Sequence, residues 1–236
     1  MNRKLTLPSC EECQTRACSI FSELTKAEMD FVAESKGGNI YKRGQNIFYE
    51  GTRPSGLHCI SSGKVKVYKI DHTGKEQIVR LAKAGDILGY RSLISGELYS
   101  SFAAPLEDAV ICTIPKEVFF ELVEKNSTLS MRLMRLLSRE LRSAEGRISN
   151  MAQKTVRERL AETLLMLAEF CGFEKDGTTI DVSLTREDLA NIVGTATETV
   201  IRFLSEFKQD KSIDLKGRKI RVINRANLVR TANIYD

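Results

Sequence analysis

Histidine is scarce in this sequence, and the motifs on which large enzyme classes depend are missing from it. The 236 residues include only two histidines, and the carboxylates are scattered along the chain. There is no P-loop, no dinucleotide-binding glycine fingerprint and no nucleophile elbow. With no constellation of groups suited to catalysis, we expect a protein that is not an enzyme.

Long apolar segments are also absent. No run approaches the length that a bilayer-spanning helix needs. The first ten residues, MNRKLTLPSC, lack the apolar core of a secretory signal. We therefore expect a cytoplasmic protein with no membrane partner. In that reducing compartment its six cysteines are not expected to form structural disulfides.

The length allows two domains with cores of their own. The net charge of +5 is modest, although basic residues outnumber acidic ones between Arg202 and Arg230. Such a charge alone is weak evidence for a nucleic-acid partner. The organisation of the chain has to come from local patterns instead.

The most informative pattern lies in residues 185–223, where one glycine separates the start signals of two helices. Thr185 with Asp188 resembles a capping box, and Thr195 with Glu198 has its full form. Gly194 between them can adopt the positive φ of a sharp helix end. The pattern predicts a helix-turn-helix, the alternative being an ordinary helical pair in a globular domain.

A basic hairpin is predicted next, with two strands around Lys216 and Gly217, which makes the unit a winged helix-turn-helix. Its second helix would present polar groups to the major groove of DNA. There Arg202 can bond guanine bidentately, and Glu198 can accept from cytosine N4. The predicted DNA-contacting residues are Thr185, Thr195, Thr197, Glu198, Thr199, Ile201, Arg202, Lys216 and Arg218.

Upstream, the chain has the pattern of an antiparallel β-barrel or roll. Short alternating runs, such as residues 64–68 and 77–81, are separated by glycines over residues 37–114. Thr25 and Glu28 predict a capping box at the start of a short helix, which precedes the strands of the roll. His58 and His72 fall in this region, where we expect surface or turn positions for both.

A long helix over residues 127–154 is predicted to join the two parts. Apolar residues recur along it in steps of three and four, the a/d seam of a coiled coil. Its alternative is a helix lying on its own domain. A winged helix needs a two-fold partner to read a palindrome, which favours a homodimer. The seam consists of Met134, Leu137, Leu141, Ala144, Ile148 and Met151.

Roll, long helix and winged helix, in this order, resemble the Crp–Fnr superfamily of bacterial transcription regulators over nearly the whole chain. The most specific matches are residues 44–48 with Gly51, residues 62–65 and 85–89, and residues 192–194 and 198–200 with Arg202. The resemblance implies an α+β chain with a cyclic-nucleotide-binding-type β-roll, a dimerisation helix and a winged helix-turn-helix. It also implies a two-fold DNA operator with a TGA-like core, read by Glu198 and Arg202, and RNA polymerase as a partner.

The predicted domains follow from these patterns. They are a cysteine-bearing arm (1–20), a β-roll sensor domain (21–126), the dimerisation helix (127–154) and the DNA-binding domain (155–236). Residues of the roll that could contact a small effector are Tyr90, Arg91, Ser100 and Ser101. In the cyclic-AMP-responsive members that the chain resembles, an arginine of the roll binds the cyclic phosphate. No arginine lies between Arg91 and Cys112 here, so cyclic AMP is not expected.

The cysteines resemble those of the oxygen-sensing Fnr branch of that superfamily. Cys10, Cys13 and Cys18 lie in the arm and Cys112 precedes an Ile-Pro pair, a set that in this branch holds a [4Fe–4S] cluster. The remaining two cysteines, Cys59 and Cys171, are expected to be packing thiols.

Other chemistry is open at the same residues. Zinc bound by the arm cysteines and a fourth ligand is one alternative, and a reversible disulfide between Cys10 and Cys13 is another. A regulator of the same fold that responds to another small effector in the roll is a third. A metal-binding structural protein that does not bind DNA is the rival from a different class.

Overall fold

The computed structural model describes residues 9–234, so residues 1–8 of the predicted arm and residues 235–236 lie outside it. The chain forms two compact units, one up to Leu141 and one from Arg142. The predicted α+β class is confirmed, with a roll of antiparallel strands, a long helix and a C-terminal helix-turn-helix with a β-hairpin. Within the described range, no helix has the length and apolar character to cross a membrane.

The helices are α1 (Lys26–Ser35), α2 (Tyr90–Ser95), α3 (Lys116–Lys125), α4 (Ser127–Gln153), α5 (Val156–Cys171), α6 (Arg186–Val193), α7 (Thr197–Gln209) and α8 (Arg225–Thr231). A short 3-10 helix spans Arg16–Cys18. The strands are β1 (Gly37–Tyr41), β2 (Gly56–Ser62), β3 (Lys64–Ile70), β4 (Glu76–Lys83), β5 (Ile87–Leu88), β6 (Phe102–Pro105), β7 (Ala109–Pro115), β8 (Ile213–Lys216) and β9 (Lys219–Val222).

The roll consists of two antiparallel sheets, with strand orders β1-β7-β2-β5 and β4-β3-β6. Inward side chains of both sheets form one core, which includes Val65, Ile60 and Ile111. A second core lies where α1, α2, α3 and the first turns of α4 pack on the roll, and Phe119 is fully buried there. Helix α1 begins with the predicted capping box, in which the Thr25 hydroxyl accepts from the backbone N–H of Glu28.

His58 is buried inside the roll, and the prediction of a surface or turn position for it was wrong. Its Nδ1 lies 3.0 Å from the Thr113 hydroxyl and its Nε2 lies 3.2 Å from the Tyr99 hydroxyl. The Tyr99 ring stacks on Phe48 with centroids 4.1 Å apart. The prediction failed because the alternation of side chains along β2 assigns His58 to one face of the strand, but does not show that other residues cover both faces. His72 lies exposed in the turn after β3, as expected.

Burial lowers the pKa of His58 from 6.5 to about 4. Between pH 6.5 and about pH 4 the imidazole of His58 is protonated in the unfolded chain but neutral in the folded chain. The folded protein therefore loses stability as the pH falls through this window. One pKa unit corresponds to about 1.4 kcal/mol, so we expect a loss of about 2 kcal/mol between pH 7 and pH 5. Urea unfolding at the two pH values measures it. His58→Gln should remove most of the loss, whereas the control His72→Gln should keep it; equal pH slopes in all three proteins would refute the assignment.

Helix α4 has one face on the roll and one face open. Leu129 and Leu133 are buried against the roll. Four of the six predicted seam residues are largely exposed in the single chain, with Leu141 at 62% and Ile148 at 70%. The other two, Leu137 and Ala144, are partly exposed. Leu137 also packs against the core that holds Leu129 and Leu133. The exposed part of the apolar stripe is therefore Met134, Leu141, Ile148 and Met151.

Candidate nucleic-acid interface and cysteine cavity

The first helix of the predicted helix-turn-helix is fixed at both ends by local bonds. At the start of α6, the Thr185 hydroxyl accepts from the N–H of Asp188 at 2.9 Å, and the Asp188 carboxylate accepts from the N–H of Thr185 at 3.0 Å. This capping box is complete. The helix ends at Gly194, whose φ of 74° is the left-handed conformation expected for it.

The second helix begins differently from the prediction. Ala196 is the N-cap of α7, and its side chain makes no capping bond. The predicted capping box of Thr195 and Glu198 is therefore wrong. The reason is that the N–H of Thr195 bonds the Ala190 carbonyl at 3.1 Å, so Thr195 belongs to the end of α6. Glu198 falls in the first turn of α7 as its second residue, where it is exposed.

Helix α7 has one buried face and one open face. Val200, Leu204 and Phe207 are buried in the unit's core. On the other face, Ile201 is exposed, and the Arg202 guanidinium lies over the Phe203 ring at 4.1 Å. Arg202 also donates to Glu206 at 2.9 Å. Thr197 and Thr199, in the same first turns, are partly exposed.

The wing is the predicted hairpin, in which Lys216 on β8 is paired with Lys219 on β9. Its two-residue turn consists of Gly217, with φ 59°, and the exposed Arg218. The turn is held to the helix-turn-helix by Arg186 in α6, whose Nη2 donates to the Gly217 carbonyl at 3.0 Å. Burial lowers the pKa of Arg186.

A second positioning arginine lies beneath the turn between α6 and α7. Arg159 on α5 donates from Nε to the Val193 carbonyl at 3.1 Å and from Nη1 to the Lys154 carbonyl at 2.8 Å. Its other terminal nitrogen contacts the Gly194 carbonyl at 3.4 Å. Because α6 ends at Val193 and Gly194, Arg159 ties α5 to the end of α6 and to the turn that leads into α7. Sequence reasoning missed Arg159 and Arg186, because nothing in an isolated arginine shows that it bonds a distant carbonyl.

In the other unit, thiols from the arm and from the roll surround one cavity of about 80 Å³ with a mostly apolar wall. Cys10 and Cys13 contribute from the arm and Cys112 from β7, so three of the four predicted ligands line the same cavity. Cys59 on β2 lines the same cavity. The description of Cys59 as only a packing thiol is therefore incomplete, whereas Cys171 lies at the end of α5 in the other unit.

Cys18, the remaining predicted ligand, lines a different and more polar cavity, together with Arg132 and Arg135 of α4. Its thiol is exposed and donates to the Thr15 carbonyl at 3.1 Å. The arm comes very close to the roll here. A Cβ added to Gly85, which has φ 96°, would lie 2.6 Å from the Cys18 sulfur.

The thiols around the first cavity influence one another. Burial raises the pKa of Cys59, and the nearby Cys112, Cys13 and Cys10 raise it further. Burial also raises the pKa of Cys112, which the positive charge of Lys36 counteracts. Thiolates of this kind coexist when a cation balances them, and four sulfurs are the ligands that an iron–sulfur cluster takes.

The cavity therefore fits a cluster in its donor chemistry. Between residues 9 and 234, no three His, Cys, Asp or Glu side chains are already close enough to hold a metal ion. Binding of a metal group would have to draw the arm and the sheet together. Metal binding would therefore be coupled to local folding of the arm.

The four effector candidates differ in burial. Tyr90 is buried in the core between the roll and the helices. Arg91 is exposed, and its Nε lies 3.9 Å from the Glu140 carboxylate of α4. Ser101 is buried and Ser100 is exposed. None of the four lines either cavity described above.

Comparison with known proteins agrees with this architecture. Residues 39–126 match the model of the cyclic nucleotide-binding domain, and residues 158–231 match that of the Crp-like helix-turn-helix domain. The "Fumarate and nitrate reduction regulatory protein" of Vibrio cholerae is 32% identical over 231 residues, covering 95% of this chain and 90% of that protein. Its namesake from Escherichia coli K12 is 31% identical over 229 residues, covering 94% and 90%.

Two solved structures have the same fold. FixK2 from Bradyrhizobium japonicum superposes with a TM-score of 0.77 at 23% identity, covering 85% of this chain and 99% of its own. A CRP/FNR-family transcriptional regulator from Thermus thermophilus gives 0.70 at 25% identity, covering 85% and 100%. These relatives are regulators and not enzymes. With a helix-turn-helix capped at Thr185 and relatives matched along nearly all of its length, the chain belongs to the Crp/Fnr family of DNA-binding transcription regulators.

Proposed function

We propose that this regulator works as a homodimer on a two-fold DNA operator in the cytoplasm and responds to oxygen or a related oxidant through a [4Fe–4S] cluster. The observation that carries the redox part is the cavity into which arm and roll both direct cysteines. Its relatives carry a name that refers to fumarate and nitrate reduction, which favours a link to respiratory conditions. RNA polymerase is the further partner that family membership implies.

In this proposal, α7 lies in the major groove and the wing contacts the adjacent backbone. Arg202 bonds a guanine and Glu198 a cytosine of a TGA-like core. In the free protein Arg202 is held by Glu206 at 2.9 Å, so DNA binding exchanges one partner for another. The remaining proposed DNA contacts are Thr185, Thr195, Thr197, Thr199, Ile201, Lys216 and Arg218.

Arg202→Ala is expected to weaken operator binding by about 1–3 kcal/mol per half-site and to relax the preference at one base pair, because a bidentate contact to guanine is lost. Competition binding with single-base operator variants measures both effects. Lys125→Ala is the matched control, since it removes one positive charge from an exposed ion pair on α3. Unchanged affinity and selectivity in Arg202→Ala would show that this residue does not read the operator.

The dimer is proposed to form through α4. An apolar stripe that is largely exposed in one chain and repeats with heptad spacing is typical of a coiled-coil interface. A second copy presents the same stripe, so the two-fold symmetric contact is self-complementary. The two recognition helices would then face half-sites about one helical turn apart.

Contacts of the dimer helix with the end of the arm and with the residues that follow it suggest how the cysteines act at a distance. Arg132 of α4 donates to the Ser22 hydroxyl at 2.6 Å and to the Ser19 carbonyl at 3.4 Å, and it also pairs with Glu23. Asn126, next to the start of α4, donates to Glu28 of α1 at 2.8 Å. The segment that directly follows the arm therefore holds the first turns of α4, and the arm itself adds one contact through the Ser19 carbonyl.

The cluster, when bound, supplies reactivity toward oxygen. The protein's part is a population shift, in which arm cysteines held at the roll favour the ordered arm, and their release loosens α4 and weakens the dimer. Cys10, Cys13 and Cys112 are three of the proposed ligands, and the resemblance assigns Cys18 as the fourth.

The visible spectrum and metal content of protein purified without air test this proposal. A brown protein with iron and sulfide, which bleaches within minutes in air, is the expected result. Colourless protein with about one zinc per chain would replace the cluster by a structural metal. Colourless protein without metal that binds its operator equally in air and under reductant would leave the cysteines without a sensory role.

A further inference from the structure

One carboxylate in the DNA-binding unit is shared by two arginines. Glu206 accepts at Oε1 from Arg202 Nη1 at 2.9 Å, and its Oε2 lies 3.6 Å from Arg157 Nε. Arg202 and Glu206 are one turn apart on α7, whereas Arg157 belongs to the first turn of α5. Glu206 therefore connects the residue that is proposed to read guanine with a residue of another helix.

Arg157 is held at the end of α7 by contacts that do not involve Arg202. Its Nη2 lies 3.6 Å from the Asp210 carboxylate, and its guanidinium lies 5.2 Å from the ring centre of the buried Phe207. Glu206 and Asp210 are four positions apart at the C-terminal end of α7, where two carboxylates repel each other and oppose the helix dipole. Because Arg157 offsets both charges, it remains there when Arg202 leaves.

Arg202 is held less firmly. Its side chain is 61% exposed, and its ion pair with Glu206 spans one turn of the same helix. An exposed ion pair of this kind is weak, whereas a bidentate contact to guanine is one of the stronger contacts to a base. The exchange of Glu206 for guanine is therefore favourable, but the loss of the ion pair reduces what the exchange adds to operator binding.

We propose that Glu206 restrains Arg202 in the free protein, and that Arg157 keeps this carboxylate paired after Arg202 has moved to guanine. Both roles rest on the proposed reading of the operator by Arg202. Without Arg157, an unpaired carboxylate would remain on the recognition helix and be repelled by the DNA phosphates. Glu206 is then a residue that determines specificity without touching DNA, and Arg157 is a positioning residue.

Glu206→Gln tests the restraint, because it removes the charge and keeps the size of the side chain. Operator affinity should rise roughly 2-fold per half-site, or about 4-fold for the two half-sites of a dimer, as expected for the loss of an exposed ion pair. The rise should be clearly smaller in the Arg202→Ala background, and on an operator whose guanine pair is replaced. Fluorescence anisotropy at one fixed salt concentration measures all of these affinities.

Glu121→Gln is the matched control, since it removes one carboxylate from an exposed ion pair of the same spacing on α3 and should leave the affinity unchanged. An equal rise with and without Arg202 would be a general effect of charge and would overturn the restraint alone. Weaker binding by Glu206→Gln would also overturn it, because Glu206 would then support Arg202 on DNA. Parental affinity in Arg202→Ala would refute the reading of the operator by Arg202, and the restraint with it.

Arg157→Gln tests the second role. Operator affinity should fall roughly 2- to 5-fold per half-site, and it should fall less in the Glu206→Gln background, where there is no carboxylate to keep paired. These side chains are at least 38% exposed, so the variants are expected to fold, and thermal unfolding verifies it. An equal fall in both backgrounds, with a salt dependence weaker by about one ion, would show that Arg157 contacts a phosphate directly and would overturn its positioning role.

Discussion

Replacing Leu141 by aspartate is expected to give a monomer that no longer binds its operator. The Leu141 side chain is 62% exposed in the single chain and occupies a heptad position of the proposed seam. In the dimer two carboxylates would face each other in an apolar interface. That arrangement costs on the order of several kcal/mol or forces protonation. Sedimentation equilibrium and operator binding on the same sample measure both consequences.

Ser143→Asp is the matched control, because Ser143 is exposed on the same helix but outside the seam. It should leave a dimer with parental affinity. A Leu141→Asp protein that sediments as a dimer would show that the seam is not the interface, and α4 would then need another explanation for its exposed apolar face.

Replacing Cys112 by serine should abolish the colour and most of the iron of protein prepared without oxygen. Cys112 is buried in β7. Serine differs from cysteine only by oxygen in place of sulfur, so the change in volume is small. The substitution removes one thiolate and leaves an open metal position. Cys13→Ser, which changes the arm and not the sheet, should have nearly the same effect. Operator affinity should fall with the colour in both variants, because in the proposed mechanism the ligated state is the one that orders the arm.

Cys171→Ser serves as the control and should retain colour and affinity. Iron analysis and operator binding by fluorescence anisotropy are the measurements. A Cys112→Ser protein with parental iron would remove the roll from the metal site and with it the proposed closure of the arm on the roll.

Local bonds explain what the sequence could predict. The capping boxes predicted at Thr25 and Thr185 are confirmed. They could be predicted because the two residues of each box lie three positions apart in the sequence. The predicted start of α7 was wrong because Thr195 could either end α6 or cap α7. Its N–H bonds the Ala190 carbonyl, so it ends α6. Motif matching recognises such partners but does not rank competing bonds.

Residues that depend on packing between distant segments could not be predicted in the same way. Alternation places Cys59 and His58 on opposite faces of β2, yet only the fold shows the arm over one face and Tyr99 over the other. The pairing of Cys59 with Cys112 follows from strand register, which no short pattern encodes. The same holds for Arg159, whose acceptors at Val193 and Gly194 lie more than thirty positions along the chain.

The central claim is that the state of the cysteine site controls DNA binding. The most direct test is the operator affinity of one sample, measured without air and again after exposure to air, with iron content determined at both points. We expect the affinity to drop roughly 5- to 150-fold, the usual range of coupling between two sites, in parallel with the loss of iron. Equal affinity before and after the iron is lost would contradict it.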